Sequence, residues 1–213
     1  MKKIVFFLFI SIGLFFIFNS ACKPKALSFR ITGVVMDMSN VAPVNTGEIQ
    51  LFEYPLGSQI GEFRGLIELE EDGSFEFEIE RNRAERFELR YNEDGYFNVE
   101  KTIFFSELNP SQENFFTLHT ATQSWVQLII KNQFNPSPND KLKILKSQGR
   151  NDCFGCCPND YYHFNGIQDT IFECLNNGNM YFGFYYWVNG SEIFNHDSIF
   201  CTPFDTVTYE IIY

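Results

Sequence analysis

Polar and apolar residues alternate with a period of two along most of this chain. No window of a dozen residues carries the three-and-four apolar spacing of an amphipathic helix. The clearest run places Phe75, Phe77 and Ile79 on one face and Glu76, Glu78 and Glu80 on the other. Its neighbour repeats the pattern, with Phe87, Leu89 and Tyr91 inward and Arg86, Glu88 and Arg90 outward, and the two runs are expected to pair so that arginines stand beside glutamates. Strict alternation explains these carboxylates as a solvated sheet face, not a catalytic pair. Further strands are predicted at 29–35, 48–54, 66–70, 96–105 and 115–120, with Asp72-Gly73 as a hairpin cue. Past Gln123 the candidates are 125–131, 141–145, 160–164, 170–175, 180–188, 192–200 and 207–213, and Asn189-Gly190 reads as a two-residue type I′ turn. The expected fold class is all-β, with two consecutive antiparallel β-sandwich domains, one over 28–122 and a cysteine-containing one over 123–213.

The first 22 residues break the alternation. Lys2 and Lys3 precede an apolar run from Ile4 to Phe18, interrupted only by Ser11 and Gly13, which has the length of a signal-peptide core and falls short of a spanning helix. Ser20 and Ala21 stand directly before Cys22, and this segment resembles the lipobox of bacterial lipoproteins, with Asn19 where an aliphatic residue is usual. The resemblance implies a signal peptide over 1–21, a diacylglycerol on Cys22 and a lipidated tether over 22–27. An uncleaved anchor helix and plain secretory cleavage are the alternatives. As a lipoprotein the chain is expected on a membrane of the cell envelope, most simply the outer membrane. Lys23-Pro24-Lys25, lacking acidic residues, leans towards its periplasmic side.

Charge narrows the partners. Two of the 16 Lys and Arg lie in the leader, so the mature chain carries 14 against 27 Asp and Glu, a formal charge of −13. Such a surface argues against nucleic acid and against adhesion to acidic headgroups. Aromatic residues make up 18% of the chain, which suits strands and reinforces the all-β reading.

In the first half, ITGVV at 31–35, the segment 45–54 with IQLFEY, and DGSFEFEI at 72–79 are followed by 87–91 and the Asp94-Gly95-Tyr96 turn. Together these look like the prealbumin-like, or carboxypeptidase regulatory-like, domain. That resemblance implies a seven-stranded sandwich without catalytic residues of its own, of a kind commonly attached to bacterial surface receptors and lipoproteins.

In the second half, Met180, Phe182, Phe184, Tyr186 and Val188 share one strand face, while Tyr181, Gly183, Tyr185 and Trp187 share the other. The first set reads as core. The second either packs under a neighbouring loop or sheet, or forms an exposed aromatic platform for a glycan through Tyr181, Tyr185 and Trp187, with room for a sugar ring opposite Gly183. Asp169-Thr170 and Asp205-Thr206 read as strand-entry chemistry.

With Cys22 assigned to lipid, Cys153, Cys156, Cys157, Cys174 and Cys201 remain as disulfide candidates in an oxidising compartment, allowing two bridges and one remainder. The preferred bridges join Cys174 to Cys201, and one of Cys153, Cys156 and Cys157 to another of that cluster or to a strand cysteine. Cys153 and Cys156 also have redox spacing, but Pro158 and the following Asn-Asp-Tyr-Tyr run leave no helix to lower a thiol pKa. Zinc with His163 lacks a second ligand pair, and Asn151, Asp152, Asn159 and Asp160 lack the spacing of a known calcium loop. His119, His163 and His196 stand in no recognised nucleophile context. The reading is a non-enzymatic lipoprotein without cofactor or metal, acting as a structural or protein-interaction module with an envelope protein partner. The alternative is glycan binding, and a thiol oxidoreductase is the reading from the enzyme class.

Overall fold

The computed structural model describes residues 28–133, 135–166 and 169–213; the leader, Cys22 and the tether lie outside the described residues. Among the described residues there are fifteen strands, one 3-10 turn at Phe105–Glu107 and no α-helix, so the fold is all-β. The first half contains β1 (Ser28–Asp37), β2 (Ala42–Pro43), β3 (Glu48–Pro55), β4 (Glu62–Glu68), β5 (Ser74–Glu80), β6 (Ala84–Tyr91), β7 (Val99–Phe104) and β8 (Glu113–Thr120). The second contains β9 (Gln123–Lys131), β10 (Lys141–Gln148), β11 (Tyr161–Asn165), β12 (Thr170–Asn177), β13 (Met180–Val188), β14 (Asn195–Cys201) and β15 (Thr206–Ile212).

Setting aside the two-residue β2, both halves have one topology. In the first, β1 lies between β5 and β8, facing a sheet of order β4-β3-β6-β7. In the second, β9 lies between β12 and β15, facing a sheet of order β11-β10-β13-β14. Strand for strand, the second sandwich repeats the first. The correspondence reaches the one departure from antiparallel pairing, since β8 runs parallel to β1 and β15 parallel to β9. The expectation of antiparallel sheets is corrected at these two pairs. Parallel neighbours need a crossover, and here the opposite sheet supplies it, because β8 and β15 each arrive from the edge strand facing them.

Alternation predicted the faces of β5 and β6 well but not their partners. Phe75 and Phe77 of β5 and Phe87 and Leu89 of β6 are all buried in one core. They enter it from opposite sides, since β5 pairs with β1 whereas β6 pairs with β3 and β7. The expected β5–β6 ladder is therefore corrected: residues 81–83 carry the chain from one sheet to the other. Glu76 finds its arginine on β1, where the Arg30 guanidinium donates from Nε and Nη2 to the two carboxylate oxygens at 2.7 and 2.6 Å. That contact holds the Glu76 carboxyl below its usual range. Glu88 is buried, accepting from Tyr54 Oη at 3.3 Å and from Arg90, and so differs from the solvated glutamates of β5. Asp72-Gly73 forms a tight turn, with Gly73 N–H donating to the Glu70 carbonyl at 2.8 Å, but it too links two sheets rather than a hairpin. β4, at Glu62–Glu68, begins and ends earlier than the expected 66–70.

Each half has its own apolar core, one running from Phe29 to Leu118 and one from Val126 to Tyr213. A fully buried Phe or Leu in either contributes about 1.5–3 kcal/mol relative to exposure. Only residues 121 and 122 separate β8 from β9, and a third cluster of Phe97, Ala121, Cys156 and Leu175 fills the seam. Backbone bonds cross it, from Gln123 N–H to the Gly95 carbonyl at 2.7 Å and from Gly178 N–H to the Thr122 carbonyl at 2.8 Å. The Arg150 guanidinium lies 3.9 Å from the centre of the Phe97 ring, and the Tyr96 and Phe204 rings meet edge to face at 5.2 Å. With so short a connection and so many cross-contacts, the two sandwiches are joined rather than tethered.

Candidate functional site

Trp187, Tyr185 and Tyr181 stand on the outer face of β13, away from the core that takes Phe182 and Phe184. Lys143 of β10 is opposite Trp187 on one side and His163 of β11 on the other, which sets these three side by side. One row on, Tyr161 of β11, Leu145 of β10, Tyr185 of β13 and His196 of β14 are in register. Tyr181 pairs with Phe200 at the far end, their rings 5.3 Å apart. Strands about 4.8 Å apart bring such side chains into contact, and the ring separations follow: Tyr161 to Trp187 at 6.0 Å, Tyr185 to His196 at 4.6 Å.

Asn189 and Gly190 have positive φ, at 50° and 71°, as a type I′ turn requires, and Ser191 N–H closes it on the Val188 carbonyl at 3.0 Å. β14 nevertheless begins only at Asn195, so the chain through 191–194 folds back and lays Phe194 edge-on to Tyr185 at 5.2 Å. The Lys143 ammonium lies 4.1 Å from the Trp187 ring centre and 4.8 Å from that of Tyr161. An open depression of about 200 Å3 adjoins it, lined in part by Lys141, His163, Asn165 and Ser191.

Tyr181 is 50% exposed and Tyr185 and Trp187 are half-buried, so the face is neither sealed by a neighbouring sheet nor bare. The room expected opposite Gly183 is absent, because the Gln148 and Ser147 side chains, brought in by a bulge in β10, lie about where a Cβ on Gly183 would meet them at 3.0 Å. His196 and Asp197, read as an exposed loop pair, lie on a strand and face opposite ways: His196 stacks on Tyr185, while Asp197 accepts from Tyr209 Oη across the sandwich. That bond helps raise the Tyr209 phenol to about 12. His119 is exposed on β8. Lys143, Tyr161, His163, Phe194 and Phe200 were not singled out as part of this surface. Alternation within their strands carried the signal for most of them, but their convergence depends on strand order.

The cysteines resolve into two bridges and a free thiol. Cys153 joins Cys156, and Cys157 joins Cys174, with Cα separations of 5.1 and 5.2 Å; Cys201 is free and buried. The preferred Cys174–Cys201 bridge is corrected. Cys174 and Asn176 point the same way from β12, and it is Asn176, one strand repeat further on, that meets Cys201, donating from Nδ2 to Sγ at 3.1 Å. Burial pushes the Cys201 thiol upward. The Cys153–Cys156 turn carries no helix and packs in the seam, the arrangement of a staple. Lys146 is 2% exposed, and its ammonium donates to the Arg150 and Cys157 carbonyls, bracketing the cysteine loop; burial lowers its pKa.

Among the described residues no three His, Cys, Asp or Glu side chains are grouped to hold a metal. Asp152 is ion-paired with Arg150 at 2.8 Å, and the Asp160 carboxylate accepts from Tyr161 N–H at 2.7 Å. Asp205 accepts from the adjacent Thr206 N–H at 2.7 Å, a local strand-entry bond, whereas Asp169 accepts from Asn132 N–H at 3.2 Å, 37 positions away beyond the end of β9. A broader concavity of about 760 Å3 at the seam is lined by Glu48, Glu68, Glu93 and Asp94 among others. No helix among the described residues is long and apolar enough to cross a membrane.

No family model and no curated protein matches the chain. Among solved structures it is similar to a Streptococcal ancillary pilin, with 10% identity and a TM-score of 0.39 over 88% of this chain and 63% of that one. It therefore spans less than two thirds of that pilin. It is also similar to GBS52, a minor pilin of Streptococcus agalactiae, with 10% identity and a TM-score of 0.35 over 86% of this chain and 94% of that one. A 9R-lipoxygenase from Cyanothece PCC8801 matches over 46% of this chain and 17% of its own, with 16% identity and a TM-score of 0.32. Likenesses of this strength carry no argument about function.

Proposed function

We propose that the protein is a non-enzymatic lipoprotein of the cell envelope, anchored through Cys22 and acting by contact, as a structural or interaction module. In this reading the signal peptide over 1–21 is removed and the tether over 22–27 leads to a prealbumin-like sandwich over 28–122 and a second, cysteine-containing sandwich over 123–213. The anchor is in the outer membrane, on its periplasmic side or surface. The observation that carries the contact role is the aromatic face of the β11-β10-β13-β14 sheet, where Trp187, Tyr185, Tyr161 and Phe194 stay at the surface though a core lies directly beneath. Aromatic residues gathered on an accessible face mark binding surfaces. An envelope protein is one occupant for such a face. A glycan is the other, favoured by the row of rings with histidine and lysine among them.

Metabolic labelling with palmitate tests the anchor. The native chain is expected to take up label and to sediment with membranes, whereas Cys22→Ala loses the label and appears in the soluble fraction. Label retained by Cys22→Ala contradicts the assignment.

A further inference from the structure

The repeated topology supplies an internal control for the aromatic face. The equivalent outer face of the first sandwich, on β3, β6 and β7, carries Arg86 and Arg90, but carboxylates accompany them. Arg90 is paired with Glu88 and lies 3.6 Å from Glu100, and its guanidinium covers the Phe52 ring at 4.3 Å. Arg86 covers Tyr54 at 4.0 Å. That face is neutralised from within.

The second sandwich has no such compensation. On the outward positions of β10, β11, β13 and β14 stand Lys141, Lys143, His163 and His196 among the aromatic rings, and not one Asp or Glu. Asp197 of β14 points inward to Tyr209, and Asp140, Asp160 and Glu192 lie just outside the strands, Asp140 accepting from the Asn189 side chain at 3.2 Å. The Lys143 ammonium has rings on two sides and, among the described residues, is in none of the salt bridges. In a mature chain with 27 Asp and Glu against 14 Lys and Arg, a sheet face free of carboxylates is a local reversal of charge. It leaves the Lys141 and Lys143 ammoniums without a carboxylate on their own face.

We infer that this face binds an acidic glycan, one whose pyranose rings stack on Trp187, Tyr185 and Tyr161 while its carboxylates pair with Lys143 and the neighbouring His163. Flat rings give a sugar an apolar platform, and a lysine within the ring cluster gives an anionic sugar what a neutral one cannot use. The depression of about 200 Å3 between Trp187, Lys143, His163 and Asn165 is where one residue of the glycan seats. The strongly negative remainder of the chain then opposes any polyanion that lies flat on it, so the acidic ligand is confined to this face.

The inference rests on the contact role proposed above but not on the lipid anchor, so failure of one leaves the other standing. The test is calorimetric titration of the full chain in detergent with hexagalacturonate, with the neutral galactose hexamer of the same length, and with single-stranded oligothymidylate. Hexagalacturonate is expected to bind, and the neutral hexamer about tenfold or more weakly. Trp187→Ala should lower the affinity for hexagalacturonate about tenfold, as truncation of a central aromatic anchor does. Lys143→Gln should remove the preference for the acidic sugar, bringing the affinities for the two hexamers together. Trp125→Ala, on the outer face of the opposite sheet, should change neither. Equal binding of acidic and neutral hexamers, an unaltered preference in Lys143→Gln, no binding by the folded wild type, or oligothymidylate binding as tight as hexagalacturonate would each overturn the inference.

Discussion

Replacing Cys157 and Cys174 together with serine is expected to destabilise the second sandwich by roughly 3 to 5 kcal/mol. The bridge spans 17 positions and ties the cysteine loop to β12, so its loss frees a sizeable loop in the unfolded chain. Both sulfurs are also nearly or wholly buried, and serine hydroxyls left there without partners add to the loss. Cys153→Ser with Cys156→Ser should cost less, because that bridge closes only a three-residue separation. The sequence offers a convenient readout. Its two tryptophans, Trp125 and Trp187, both lie in the second half, so fluorescence during urea unfolding follows that sandwich alone. The Cys157/Cys174 variant should shift the fluorescence midpoint strongly downward, and a midpoint as high as that of the native chain would show that the bridge is not structural.

Gly33→Ala is expected to damage the first sandwich, at a cost of about 3 kcal/mol. Gly33 lies in the middle of β1 with β5 on one side and β8 on the other. A Cβ there would overlap both the Phe116 carbonyl oxygen and the Phe75 ring, and backbone does not yield as a flexible side chain does. Circular dichroism sees both halves, whereas tryptophan sees one, so the variant should unfold early by the first probe while fluorescence lags behind. Coincident, unshifted transitions would mean that the parallel β1–β8 pair relaxes without penalty.

Gly33 also illustrates what could be read from residue order alone. Alternation groups it on one strand face with Phe29, Ile31 and Val35, and that face is buried, but nothing in a single strand says that a carbonyl from β8 comes close above it. Faces are local, whereas partners are not. The same limit explains β5 and β6, whose patterns match so well that a shared ladder looked natural until residues 81–83 carried the chain across the sandwich. It explains the cysteines as well. The count of two bridges and a remainder followed from the residues, but choosing Asn176 over Cys174 as the neighbour of Cys201 required the register between two sheets. At the candidate site, Tyr181, Tyr185 and Trp187 were legible because one strand holds all three. Lys143, Tyr161, His163 and Phe194 come from two other strands and a folded-back loop, and without them the face has rings but no charge. The twofold use of one topology was not visible either, because the correspondence lies in strand order and not in shared residues.

The central claim is that the aromatic face of the second sandwich is the surface through which this protein meets its partner. With Trp125→Phe, Trp187 becomes the only indole in the chain and reports from the middle of that face. Its emission, followed while isolated envelope polysaccharide is added to the full chain, is the most direct measurement. The account predicts a saturable change that Tyr185→Ala weakens severely. Saturable binding of the polysaccharide, detected by calorimetry, with Trp187 emission unchanged would contradict it.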